Sequence, residues 1–239
     1  MKNIYDIHTH ILPKVDDGAA SMREAMAIIE DEVNQGVTGI MLTPHYKIHT
    51  YEADESVIYE QYKNLKIEAK SRFPELDLRL GCEVRVTDDI ISKLEKRKYA
   101  TFNEGSTILL EFSSRHGEDY IIEKIKEFKE MSYSPVIAHI EYYPELFKKY
   151  KVVEELRALG AGIQIDSDSV LGYSDAKDRR FCTGLLKRRL VDYVASDVHN
   201  MTSRRSSIGS CADLIERKYG SDYANEILVE NPGKFFEKK

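Results

Sequence analysis

Short apolar strand-like runs alternate with longer amphipathic segments along the whole of this 239-residue chain. That alternation constrains its fold more than any other feature. Strands are expected at Asn3–Ile7, Thr38–Leu42, Leu76–Cys82, Ser106–Phe112, Pro135–Ala138, Gly162–Ile165 and Val191–Ala195. Between and after them, helical spacing marks Ser21–Gln35, Tyr51–Phe73, Asp88–Lys96, Asp119–Met131, Pro144–Leu159, Leu171–Lys187, Ser206–Lys218 and Tyr223–Val229. Ser21 with Glu24 three residues on reads as a helix start, Gly36 as its stop and Pro74 as the end of the next helix. About seven β/α units in succession give an α/β chain with a parallel sheet and helical crossovers. Periodicity alone does not separate a closed barrel from an open, doubly wound sheet.

Hydrophobic residues make up 42% of the chain, enough for one sizeable core, and a single domain over 1–239 is expected. The net charge of -6 leaves no basic footprint for nucleic acid. The N-terminus has no apolar leader segment, and no apolar run approaches the roughly 18 residues of a membrane span, so neither secretion nor membrane insertion is expected. Cys82, Cys182 and Cys211 lack disulfide or zinc spacing, which fits a reducing cytoplasm.

The chemistry concentrates at the strand ends. The first strand runs into His8 and His10, the second into His45, the third into Glu83, the fourth into Glu111, the fifth into His139, and the last into Asp197 and His199. In parallel β/α folds the carboxyl ends of the strands open onto one face, so these distant positions converge, and Asp17 in the first loop can join them. Imidazole and carboxylate together suit divalent manganese, iron or zinc. His8 and His10 leave an extended backbone on the same side, so both can bind one ion. Each residue has a bland alternative. A lone strand-end histidine is usually a satisfied polar group, Asp17-Gly18 alone reads as a turn, and a lone glutamate as a helix-start charge. The joint pattern decides for a metal site, since five of the 7 histidines fall at expected strand ends together with three carboxylates. His49 and His116 are left in loops, where plain solvation is the default and a substrate role the alternative.

The stretch Asp6-Ile-His8-Thr-His10-Ile-Leu-Pro-Lys-Val-Asp16-Asp17-Gly18-Ala19, followed in order by Thr43-Pro44-His45-Tyr46, Gly81-Cys-Glu83-Val84, Leu109-Leu-Glu111-Phe112, Ala138-His139 and Ala195-Ser-Asp197-Val-His199-Asn200, resembles the polymerase-and-histidinol-phosphatase superfamily. Within it, the similarity is to the CpsB/YwqE-type bacterial protein-tyrosine phosphatases, and it covers nearly the whole chain. The resemblance implies a distorted seven-stranded β/α barrel with a cluster of three divalent ions, manganese foremost and iron or zinc as alternatives. It implies one ion on His8, His10, Glu83 and Asp197, a second sharing Glu83 and adding Glu111 and His139, and a third on Asp17, His45 and His199. It further implies direct hydrolysis of phosphotyrosine by a metal-bridging hydroxide, with Asp197 and His199 at the reaction centre. The implied substrate is a phosphorylated bacterial tyrosine kinase controlling capsular or extracellular polysaccharide assembly. The chain departs from the family at Tyr142, where the resemblance leads one to expect a phosphate-binding arginine. A tyrosine hydroxyl lacks the charge and the bidentate fork of arginine. Arg204 falls where the family has another phosphate-contacting arginine, with a solvated helix start as its alternative reading.

Cys182 to Arg188 and Cys211 to Arg217 reproduce the Cys-x5-Arg spacing of cysteine-dependent phosphatases. Both cysteines lie in helical patterns rather than in a phosphate-cradling loop after a strand, so both spacings read as accidents. A small-molecule phosphatase of histidinol-phosphate type, or a phosphodiesterase, on the same barrel is the enzymatic alternative. A regulatory module with a decayed site is the non-enzymatic one.

Overall fold

The computed structural model describes residues 1–94 and 98–237. Among these, the strands are β1 (Ile4–Thr9), β2 (Val37–Leu42), β3 (His45–Tyr46), β4 (Asp77–Leu80), β5 (Glu83–Arg85), β6 (Thr107–Glu111), β7 (Ser134–Ile137), β8 (Gly162–Asp166) and β9 (Tyr193–Ala195). They pair in the orders β1-β2-β4 and β3-β5-β6-β7-β8-β9. Every pairing between them is parallel.

Two short strands lie beyond the expected ones: β3 follows Thr43-Pro44 after the expected strand Thr38–Leu42, and β5 follows Gly81-Cys82, where the expected strand Leu76–Cys82 stops short at Leu80. Pro44 has no N–H to give to a ladder. Hydrogen bonds from Thr43 N to Thr9 O, Gly81 N to Leu42 O and Glu83 N to Pro44 O carry the sheet across the gaps. The curled sheet returns on itself where Asp197 N donates to His8 O at 3.0 Å and His10 N to Val198 O at 2.9 Å.

The helices are α1 (Met22–Asn34), α2 (Glu55–Arg72), α3 (Ile90–Leu94), α4 (Glu118–Glu130), α5 (Tyr150–Ala158), α6 (Ser167–Leu171), α7 (Ala176–Lys187), α8 (Ile208–Tyr219) and α9 (Ser221–Asn225). Ser21 caps α1, its hydroxyl accepting from Glu24 N at 3.2 Å. Glu95 and Lys96, the expected end of the third helix, lie outside the described residues. Three expectations shift. Tyr51 is not helical, because it pairs with Lys47 in a tight antiparallel turn, and α2 starts after Asp54. The segment expected as one helix from Leu171 is two, because Gly172 takes a left-handed φ of 85° and ends α6. Pro144 opens a 3₁₀ turn over Pro144–Leu146 instead of the helix itself.

Alternate residues of the strands feed two apolar layers. Ile4, Ile40, Leu110, Ile137, Ile165 and Val194 face outward and pack under helix residues such as Ile29, Leu65, Ile125 and Leu185. Ile7, Met41, Leu109, Val136 and Ala195 meet inside the curl, plugged by Phe102 and Phe236. Fully burying each such side chain contributes about 1.5–3 kcal/mol. The polar strand ends sit above this solid floor. No helix among the described residues is long and apolar enough to cross a membrane.

Candidate metal centre

The first strand brings its histidines to the site through a register defect. Asp6 pairs with Ile40, but the next pairing is Thr9 with Leu42, so β1 carries one extra residue there. Such bulges re-aim side chains at barrel rims. Asp6 thereby keeps its carboxylate beneath the site, where Oδ1 accepts from His8 N and from Ser196 N, each at 3.2 Å. Ile7 fills the interior. His8 and His10 turn to one point, their Nε2 atoms 3.2 Å apart.

All nine residues expected as ligands converge. Glu83 Oε2 and Asp197 Oδ1 each lie 3.3 Å from both Nε2 atoms of His8 and His10. A metal about 2.0–2.2 Å from its ligands separates neighbouring donors by about 3.3–3.6 Å, and His8, His10 and Asp197 form one group of donors close enough for a shared ion. The remaining ligand atoms form overlapping groups: His8 with Glu83 and His139, His45 with Glu83 and Glu111, and His10 with Asp17, His45 and His199. The grouping differs from the expected one: Glu83 gathers with His139 and with His45 and Glu111 instead of with His8, His10 and Asp197 together, and His10 also joins the Asp17, His45 and His199 group. Glu111 gathers with His45 rather than with His139, because Glu83 Oε1 takes His139 Nε2 at 2.9 Å. His45 also reaches both sides, with Nδ1 at 2.7 Å from Glu83 and Nε2 at 3.4 Å from Asp17.

Buried polar atoms without a hydrogen bond are rare in folded proteins. Here Glu111 Oε2 and His199 Nε2 have no hydrogen bond, and Glu83 Oε2 and His45 Nδ1 have none beyond their mutual ion pair at 2.7 Å. Divalent cations would satisfy them, so the donor set fits the group that the sequence implies.

A surrounding set of acceptors fixes which imidazole nitrogen is free. His10 Nδ1 donates to Asp16 Oδ2 at 2.7 Å, His8 Nδ1 to Gln164 Oε1 at 3.2 Å, and His199 Nδ1 to the Asp197 carbonyl at 2.9 Å. His139 Nδ1 meets the hydroxyl of Tyr143, whose own proton goes to Ala138 O. In each case Nε2 is left to face the cluster, as metal-ligating histidines require. Backbone strain accompanies this. His139 and Asp197 both adopt left-handed φ, 32° and 53°, a conformation that costs a non-glycine residue of order 1–3 kcal/mol.

Electrostatics reflect the crowding. Burial opposes charge on Glu83, yet the imidazoles of His8 and His45 hold its carboxyl well below the usual range. Asp197 is lowered against its own burial by His8 and His10, and Asp17 by the imidazole of His199, 3.6 Å away. Burial likewise opposes protonation of His139, but Glu83 prevails and pushes it up to about 9. A raised histidine contributes stability that is complete below its ordinary value of 6.5 and is lost as pH rises through about 9. The chelated protein should therefore melt at a lower temperature at pH 9 than at pH 6.5. The cation-loaded protein, whose imidazoles are neutral ligands, should show little of this loss. Calorimetry with EDTA and with manganese at the two pH values measures it, and a chelated protein that is equally stable at both contradicts the assignment.

The cluster floors a cavity of about 410 Å³ whose walls include Lys47, Tyr51, Arg85, Phe112, Tyr142, Tyr143 and Arg204. Arg204 is held by carboxylates, with Nη2 2.7 Å from Asp197 and Nη1 3.5 Å from Asp17. Its loop is folded on Asn200 Oδ1, which accepts from the backbone N–H groups of Thr202, Ser203 and Arg204. This geometry goes beyond a solvated helix start. Tyr142 stands over His139 with ring centroids 5.2 Å apart. The negative charge of Asp166, together with burial, raises its pKa, so its hydroxyl remains a donor. His49 and His116 do not join the cluster: His49 belongs to the turn after β3, and His116 packs on Phe112 and Tyr120. Cys182 and Cys211 are buried within α7 and α8, and burial raises both thiol pKa values, which leaves no thiolate loop.

Asp16, Gln164 and Arg85 were not singled out by sequence reasoning. Asp16 alone carried a signal, as the first carboxylate of the Asp-Asp-Gly stretch. Gln164 lies within an ordinary apolar strand, and Arg85 two residues past Glu83 looks like any surface charge.

Fold and site together define a class, the parallel α/β barrels with a polynuclear metal-type donor cluster at the strand ends. The chain belongs to the family described as capsular polysaccharide synthesis, CpsB/CapC, which matches residues 4–237. It is 35% identical over 234 residues to the tyrosine-protein phosphatase CpsB of Streptococcus pneumoniae, covering 96% of each chain. To the tyrosine-protein phosphatase YwqE of Bacillus subtilis (strain 168) it is 30% identical over 226 residues, covering 95% of this chain and 89% of that one. A solved structure from a study of YwqE of B. subtilis and CpsB of S. pneumoniae, described as unique metal-dependent tyrosine phosphatases, matches with a TM-score of 0.88 at 29% identity. That match covers 97% of this chain and 94% of that one.

Proposed function

We propose that this chain, as a single domain, is a metal-dependent phosphotyrosine-protein phosphatase. The observation that carries the reading is the convergence of nine imidazole and carboxylate donors, with Glu111 Oε2 and His199 Nε2 left without a hydrogen bond, in a chain whose relatives over nearly its full length are tyrosine-protein phosphatases. His8, His10, Asp17, His45, Glu83, Glu111, His139, Asp197 and His199 would hold a cluster of three divalent cations, manganese foremost. When bound, such ions neutralise charge on phosphoryl oxygens and lower the pKa of water.

The chain's own groups orient and balance the reaction. Asp16, Gln164, Tyr143 and the Asp197 carbonyl keep the imidazole lone pairs turned inward. Asp197, which lines the cavity, and His199 beside it would border the phosphoryl group. Arg204 spans Asp17 and Asp197 and can shift its charge toward an entering dianion. Tyr142 offers one neutral hydrogen-bond donor. Tyr51 and Tyr142 line the cavity with accessible aromatic surface suited to a phenol ring. A phenolate, with a pKa of about 10, leaves readily. The substrate would be a phosphotyrosine protein, a bacterial tyrosine kinase of polysaccharide assembly being the expected one, and the reaction would take place in the cytoplasm.

The test uses p-nitrophenyl phosphate and a phosphotyrosine peptide with manganese, with EDTA, and on the His8→Ala and Cys182→Ser variants. Turnover should need manganese, fall by at least about a thousandfold in His8→Ala, and survive Cys182→Ser. Activity that survives EDTA and dies with Cys182 would overturn the mechanism. Hydrolysis of histidinol phosphate or a phosphodiester in preference to the peptide would move the substrate assignment within the same barrel.

A further inference from the structure

We infer that Arg85 is the residue that grips the phosphoryl group, through the outer edge of its guanidinium. The inference rests on the phosphatase reading above and names a contact within that site. Three cationic side chains line the cavity: Lys47, Arg85 and Arg204. Arg204 already spends both terminal nitrogens on the carboxylates of Asp197 and Asp17. Lys47 carries a point charge on a flexible stem at the turn before Tyr51, which cannot present two donors in a fixed plane.

Arg85 is built differently. It follows Glu83 by two residues on β5, so both side chains leave the same face of the strand toward the cluster. One nitrogen, Nη1, makes both of its contacts, 2.6 Å to Glu111 Oε1 and 2.9 Å to the carbonyl of Phe112. Those two acceptors fix the plane of the guanidinium. Nε and Nη2 have no partner among the described residues. A guanidinium anchored at one corner offers its opposite edge as a fork of two N–H donors, which matches two phosphate oxygens. Glu111 ties that fork to the cluster, since its Oε1 takes Arg85 while its Oε2 is one of the orphaned atoms of the site. A phosphoryl group held on this edge is thus kept against the ligand cluster. Across the cavity Tyr142 can add only one neutral donor. Arg85 is then the fixed bidentate anion receptor of the cavity.

Arg85→Gln and Arg85→Lys, prepared with full manganese, test this by isothermal titration of inorganic phosphate, alongside metal content and melting temperature. Loss of a charge-assisted pair should weaken phosphate binding about 10- to 100-fold in Arg85→Gln. Arg85→Lys keeps one charge for Glu111 but has no second edge, so it should lose most of the same affinity while retaining metal. If Arg85→Gln fails to fold, Arg85→Lys decides. Unchanged phosphate affinity in a metal-replete variant overturns the inference. So does a loss that merely tracks lost metal, because Arg85 would then act only by positioning Glu111. Phosphate titration needs no turnover, so a parent protein that binds phosphate through Arg85 yet hydrolyses no phosphoester would sink the phosphatase reading alone.

Discussion

Glu83→Gln should lower phosphoester turnover by about a thousandfold and strip the protein of cation at stoichiometric manganese. Glutamine has the same shape, so packing is retained and the chemistry alone is changed. Glu83 is 1% exposed and stands at the centre of the site. Its Oε2 is 2.7 Å from His45 and 3.3 Å from His8 and His10, and its Oε1 is 2.9 Å from His139. One anionic group therefore serves four imidazoles. An amide removes that charge and turns an NH₂ donor toward nitrogens that must offer lone pairs. The same change should flatten the pH dependence of melting in the chelated protein, because His139 loses the partner that raises its pKa. A Glu83→Gln protein with full metal and more than a tenth of parent activity would remove Glu83 from the centre of the mechanism.

The second large effect is expected away from the ligands. Asp16→Ala should weaken cation binding about 10- to 100-fold, although Asp16 donates nothing to the cluster itself. Its Oδ2 accepts from His10 Nδ1 at 2.7 Å and from the backbone N–H of His45 at 3.0 Å, while Oδ1 accepts from Gly18 N at 3.0 Å. It thus sets the tautomer of one ligand, the backbone of a second and the loop that carries a third, Asp17. The loop has no slack. A Cβ on Gly18 would sit 1.9 Å from the His10 carbonyl oxygen. Asp16→Asn should lie between parent and alanine. Its amide oxygen can take the place of Oδ2 and keep accepting from His10 Nδ1 and His45 N, which leaves its NH₂ group against Gly18 N. Manganese titration of the two variants decides. An alanine variant with parent affinity would show that orienting His10 is not what Asp16 contributes.

These residues also mark where the sequence was readable. The alternation of strands and helices and the strand-end ligands follow from local period and from the rule that parallel strands open onto one face. Both survive any adjustment of element ends. The short strands β3 and β5 were hidden because Thr43-Pro44-His45 and Gly81-Cys82-Glu83 end the apolar runs, and only sheet pairing makes strands of the residues that follow Pro44 and Cys82. Tyr51 looked helical by spacing, but its pairing with Lys47 depends on a backbone turn that side-chain pattern does not encode. The metal-type residues were legible by kind. Their grouping was not, since it turns on rotamers: Glu111 sits with His45 because Arg85 and the position of Glu83 send it there. Asp16, Gln164 and Arg85 act through hydrogen bonds to residues far off in the chain, and nothing in a single sequence distinguishes them from surface polar groups.

The seam between the first strand and the segment after the last has a consequence for how the protein is made. His8 and Asp197 lie 3.3 Å apart in the finished fold, and Asp6 grips the backbone of Ser196 across 190 residues of chain. At a synthesis rate of about 5–20 residues per second, the ribosome delivers Asp197 about 10 to 40 s after His8. During that interval His8 and His10 face an incomplete site with no carboxylate from the far end. A product that stops short of Asp197 cannot close the seam, and on the proposed ligand set it would lack both Asp197 and His199.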